Sequence, residues 1–358
     1  MPRQHLCPPL CEEHPPVLRN PPYTGLHVLI RKRTRYSLLL VLALVAALIV
    51  AVVLRKSAPP EAARLLPESD AIVYANLKPL RAATHFDRNP VQRSPEYQHF
   101  VDATGIVPER DLDAVAFALH RMDDPNGPNG PVGYSEVFEG RFDGERLAAY
   151  LTTLAATKES YAGRTIYTIP VGEGKAIRPF RIAQLGYDTI AASNMPTAEQ
   201  IHSILDRHRA AASPFSGSSL LSTYYRDVPL LASAWAIGHI GLPFSDRGTI
   251  SVFGLQLPLA EDTTFVASLR YLGSLHLRIE EIAPSEAEAA HTSQSLSTLL
   301  GLFKSIQQAQ PRTSNDAALL QLTDSIKIEQ DKDRAVLTAN VPVSLIKQLT
   351  AAPTSLQP

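Results

Sequence analysis

Cysteine is nearly absent: the 358 residues hold two, Cys7 and Cys11, and none follows. A disulfide-dense scaffold is therefore excluded, and the chain beyond residue 11 must be held together by core burial alone. No Asn-x-Ser/Thr acceptor occurs, which suits a bacterial envelope, and tryptophan appears once, at Trp235. Net charge is close to nil, with 34 Lys+Arg against 35 Asp+Glu. At 45% hydrophobic and 19% charged residues the chain is not disordered, and 18 glycines are too few for collagen. G-x-S-x-G elbows and phosphate-cradling glycine loops are missing too.

What the sequence does have is one long apolar run. Residues 37–54 read SLLLVLALVAALIVAVVL, without a charge, an amide or a proline. At about 1.5 Å per residue the run is roughly 27 Å long, enough with Tyr36 to cross a bilayer core. It is apolar all round, whereas a surface helix would show a polar face. Residues 36–56 are therefore expected to form a transmembrane signal-anchor. Six basic residues precede the run (Arg3, Arg19, Arg31, Lys32, Arg33, Arg35) and two follow it, Arg55 and Lys56. The positive-inside rule then keeps the N-terminus in the cytoplasm and sends the rest across the cytoplasmic membrane. A cleaved signal peptide fits less well, since the n-region would be too long and a basic pair stands where small residues should.

The expected organisation is a Pro-rich cytoplasmic tail (1–35), the anchor (36–56), a linker (57–64), two halves of an exported domain (65–226 and 227–351), and a loose end (352–358). Seven prolines in the first 30 residues rule out a helix there. His5, Cys7, Cys11 and His14 could chemically form a zinc set, but their spacing matches no zinc module and reads as a tail with reduced thiols. Residues 1–56 hold eight basic and two acidic side chains, net +6, leaving 26 basic against 33 acidic, net −7, for the remainder. An acidic exported domain lacks the basic stripe that a phosphate backbone needs, so nucleic acid is excluded as a partner. The bilayer itself is the expected partner of residues 37–54, beside an unknown envelope protein or ligand.

Beyond residue 64, strands are expected at 71–77, 113–120, 134–142, 164–170, 180–184, 188–192, 230–238, 249–257, 263–271, 274–282, 325–329 and 335–341. Helices are expected after Ser94 with Pro95 at the first position, after Asp143, after the Thr197–Gln200 capping box, over 218–226, after the Ser285–Glu288 capping box, and over 316–322. Strands come in groups with helices between them. That predicts an α+β fold of antiparallel sheets with helices packed on one face, and a divergent duplication broken near Asp227.

Several constellations have simple structural readings. His202, Asp206 and His208 could share a helix face, yet His208 continues the apolar stripe, which favours packing over a metal. Residues 123–129 (DDPNGPN) lack the terminal Glu of a calcium loop and read as a turn. Ser216, Ser218 and Ser219 have no elbow, and His239 and Asp246 have no evident link to them. Residues 171–175 form a hairpin turn, not a phosphate loop. Glu280 and Glu281 point to opposite faces of a strand and cannot pair as acid and base. Trp235 sits in an apolar run and is assigned to the core. No catalytic, cofactor or metal residue is assigned.

Leu66, Pro67, Asp70 and Tyr74, then Gly140, Phe142, Leu147, Leu151, Tyr161, Gly163 and Tyr167, form a pattern similar to that of uncharacterised bacterial single-pass membrane-anchored proteins, whose exported domains open on Leu-Pro-x-x-Asp. The resemblance covers residues 65–240 most clearly. It implies an α+β domain outside the membrane and no assigned activity. The sequence thus points to a membrane-anchored binding or scaffolding protein of the envelope. The alternatives are an envelope hydrolase with a site built from sequence-distant residues, and a carrier of apolar ligands.

Overall fold

The computed structural model describes residues 39–48, 58–88, 93–210, 216–239, 249–252, 255–258, 263–271, 274–309 and 316–342. The chain divides into two compact units, 1–52 and 53–358. In the first, the described residues form a helix, α1 (39–48), whose side chains are all exposed. Among the described residues no helix is long and apolar enough to cross a membrane. The 37–54 run extends outside them at both ends, and so do the cysteine tail and Asp246.

The second unit is mixed α+β, built on one large antiparallel sheet. Its first part runs α2 (Glu61–Leu65), β1 (Ala71–Asn76), α3 (Leu77–Thr84), α4 (Pro95–Thr104), α5 (Pro108–Asp111), β2 (Leu112–Arg121), β3 (Val132–Gly140) and α6 (Gly144–Leu154). Then come β4 (Thr157–Tyr161), β5 (Arg164–Val171), β6 (Arg178–Gln184), β7 (Thr189–Ser193), α7 (Glu199–Arg209) and α8 (Ser219–Tyr224). The remainder is β8 (Ala234–His239), β9 (Thr249–Val252), β10 (Leu255–Pro258), β11 (Thr264–Tyr271), β12 (Leu275–Ile282), α9 (Glu286–Ala309), α10 (Asp316–Ser325), β13 (Lys327–Asp331) and β14 (Arg334–Val341).

Twelve strands pair in the order β13-β14-β12-β11-β8-β1-β2-β3-β7-β6-β5-β4, and β9 pairs with β10 in a separate ribbon. The single strand expected at 249–257 is therefore a hairpin. Reading outward from the central β1–β8 pair, the two sides follow the same path. Three strands (β1-β2-β3 and β8-β11-β12) are followed by a helix, and a later hairpin then returns beside the third strand (β7-β6 and β14-β13). The first side adds one more hairpin, β4–β5. The outer edges carry charge, Lys158 and Glu159 on β4 and Lys327, Glu329 and Asp331 on β13, which discourages edge-to-edge pairing with another chain.

Helices cover both faces of the sheet, which corrects the one-face expectation. Val137, Ala183 and Ala191 belong to a buried cluster with Ala62, Leu65 and Leu66 around α2 and with Ile201, Ile204 and Leu205 of α7. Their chain neighbours Phe138, Ile182 and Ile190 point the other way, into a second cluster with Leu147 and Leu151 of α6. Consecutive apolar residues on one strand put apolar surface on both of its sides, and each side needs a layer over it.

Local signals work as expected at three helix starts. Ser94 accepts from Tyr97 N–H at α4, Asp143 accepts from Arg146 N–H at α6, and Ser285 accepts from Glu288 N–H at α9. The Thr197 box does not form: α7 starts at Glu199 behind Ala198, with no side-chain cap.

Candidate binding groove

Strand β8 begins at Ala234 rather than at Leu230, and the correction matters for function. Ala232 N–H donates to Pro229 C=O at 3.2 Å, closing a turn with Leu230 and Leu231 at its tip. Both leucines project into solvent, 62% and 73% exposed. Leu231 has φ 66°, the value of the third residue of a type II turn, where glycine is normal. A leucine there costs about 1 kcal/mol of backbone strain. The Leu231→Gly variant is thus expected to gain about 0.5–1 kcal/mol of stability, read as a higher urea midpoint, whatever it does to binding.

Behind the turn lies an open groove of about 920 Å³. Leu230 and Leu231 form one lip, and Ala58, Pro59 and Pro60 lie on its wall. Its floor is aromatic. Trp235 stacks on Tyr74 with centroids 5.5 Å apart and meets Tyr225 edge-on at 5.4 Å. The cross-strand register Tyr74↔Trp235 of β1 and β8 fixes the first pair. Tyr225 is set by a 3-10 turn, Tyr225–Asp227, that continues α8. Burial pushes the Tyr74 phenol far above its usual range, with the Glu139 carboxylate adding to the effect, so the floor is uncharged at any ordinary pH. Asn76, Ser222 and Arg226 supply polar groups around this surface. An aromatic floor, an aliphatic lip and a few polar groups suit a largely apolar ligand that carries a polar group.

The serines singled out from the sequence have structural duties beside this groove. Ser218 is buried and caps α8 through Leu221 N–H. Ser219 donates from its N–H and its Oγ–H to Glu68, which also pairs with Arg207 at 3.2 Å. His239 bonds Thr264 Oγ1 at 3.1 Å. They are not brought together as a catalytic set.

His202, likewise, is stacked flat on Tyr161 at 3.8 Å and bonded to Glu159 at 2.9 Å, while Tyr161 Oη–H donates to Asp206. That network ties α7 to β4. Among the described residues no group of three His, Cys, Asp or Glu side chains could hold a metal.

One Ser–His pair escaped the sequence reading. His120 Nε2 lies 2.9 Å from Ser135 Oγ, which lies 3.4 Å from Ser193 Oγ. All three are buried, and burial lowers the pKa of His120. The alternation of β2, β3 and β7 brings them into line, a pairing that needs the strand register to be known. None of them lines the groove. A nucleophile sealed from solvent cannot meet a substrate, so the row is a hydrogen-bonded strut.

No family model and no curated protein matches the chain. Three crystal forms of TP0453 are similar in structure. Form III has a TM-score of 0.44 and 10% identity, covering 81% of this chain and 97% of its own. Form I has 0.42 and 9%, covering 82% and 97%, and form IV has 0.43 and 10%, covering 82% and 98%. Likeness at this level carries no argument about function.

Proposed function

We propose that this protein is a single-pass membrane protein, N-terminus in the cytoplasm, that presents residues 57–358 outside the cytoplasmic membrane as a non-catalytic binding module. The anchor rests on the uncharged 37–54 run and its basic flank. The binding role rests on one observation, the groove floored by Tyr74, Tyr225 and Trp235 and lipped by two exposed leucines. A soluble surface rarely keeps adjacent leucines in water unless something meets them.

The test has two arms. A C-terminal epitope on the full chain should be open to protease in intact spheroplasts, and carbonate should leave the chain in the membrane. An epitope reached only after lysis overturns the topology. The purified full chain should show no hydrolytic turnover. A turnover abolished by Ser135→Ala overturns the non-catalytic reading.

A further inference from the structure

The groove and the anchor are neighbours in sequence, and that limits what the groove can meet. Ala58 lies on its wall, four residues after Leu54, where the apolar run ends. A chain of four residues spans at most about 14 Å however it is arranged. With the run in a bilayer, Ala58 can lie no farther than that from the end of the run at Leu54. The inference therefore rests on the anchor proposed above.

We infer that the occupant of the groove is a glycerophospholipid of the bilayer that holds the anchor, drawn in past the Leu230–Leu231 turn. Three features match its chemistry. The two leucines stand out together at the tip of a turn, and the fold keeps Leu231 exposed there in spite of its left-handed backbone, φ 66°. The trough behind them is aromatic and aliphatic, as an acyl chain requires. Arg226, on the groove lining, has a largely exposed side chain and, among the described residues, its ion-pair contact is a long 3.9 Å approach to Asp227, so its guanidinium can meet a phosphate bidentately. An extended apolar peptide would need backbone hydrogen-bonding partners along the trough, whereas an acyl chain needs none.

Trp235 reports directly on this idea, because it is the only tryptophan in the chain and forms the groove floor. The full chain would be reconstituted into phosphatidylcholine vesicles with either plain or dibrominated acyl chains, since bromine quenches indole only at close range. Brominated lipid is expected to lower Trp235 emission at least twofold. Leu231→Asp and Leu231→Gly should each restore most of it, and the glycine variant guards against loss of folding. Equal emission in the two lipids from a carbonate-resistant chain overturns the inference and leaves the anchor standing. Release of the chain by carbonate overturns both. Quenching that is unchanged in both leucine variants overturns the entry route, and with it the inference as stated.

Discussion

Replacing Arg334 by methionine is expected to destabilise the sheet domain by about 3–5 kcal/mol, the range found when one partner of a buried ion pair is removed. Arg334 Nη1 lies 2.5 Å from Glu280 Oε1 and 3.1 Å from Asp227 Oδ1. Glu280 is 4% exposed, and its other oxygen is met by Arg278 at 3.0 Å. The Glu280 hydrogen bond, opposed only partly by burial, raises the pKa of Arg334, so the guanidinium keeps its charge. Methionine fills the same length without a donor, leaving Glu280 half-satisfied and Asp227 without its closest cation. Urea unfolding of the full chain in detergent, followed by Trp235 emission, reads the change. A loss below about 1 kcal/mol would show that Arg278 alone suffices. Asp227 ends the 3-10 turn that carries Tyr225, so the substitution should also loosen one wall of the groove and weaken bromolipid quenching.

The second large effect is a pH dependence from two carboxyls, Glu281, which is buried, and Glu136, which is half-buried. Burial raises Glu136 on β3 to about 7. Burial also raises Glu281 on β12 to about 7, against the Thr292 hydroxyl that donates to it and helped by the nearby Glu288 carboxylate. An unfolded glutamate ionises near 4.3. Below that value both states are protonated, and nothing is lost. Between about 4.3 and 7 the native state holds a proton that the unfolded chain has released, so stability falls as pH rises, by at most about 1.4 kcal/mol per unit for each group. Above 7 the loss is complete and constant. Glu281→Gln should therefore raise stability by about 2–3 kcal/mol at pH 8 and change it little at pH 4, with Glu136→Gln behaving alike. A glutamine variant whose gain is the same at both pH values would show that the effect is steric.

How much of this was legible in the sequence depends on the range of the interaction. Helix starts were readable because a cap is a contact over three residues, as Ser94, Asp143 and Ser285 show. Strand positions were largely readable from β-rich runs between turn residues. The two-layered covering of the sheet was not, because apolar positions such as Val137 and Phe138 look like one greasy run until the pleat separates them. The groove was half visible. Trp235 read as core, and its stacking on Tyr74 bears that out, but Leu230 and Leu231 read as strand because their apolarity outweighed Pro229. The turn formed here by a proline, two leucines and a small residue has positive φ at a leucine, which propensity argues against. The pairings Arg334–Asp227 and His120–Ser135–Ser193 join strands and loops far apart in sequence and need the register first. Glu280 and Glu281 were rightly placed on opposite faces. Their different fates, one paired and one driven toward neutrality, depend on which layer covers each.

The central β1–β8 pair has a consequence for how the molecule is made. Ala71 lies opposite Gly238 in that ladder, so β1 leaves the ribosome long before the strand that completes its second edge exists. During that interval a nascent chain can zip β1 through β7 into a half-sheet whose open rim is Ala71–Asn76, among the most apolar strands in the fold. Such a rim invites pairing with a neighbouring polypeptide, so a chain halted before residue 234 should aggregate, while one reaching β8 seals the seam from within.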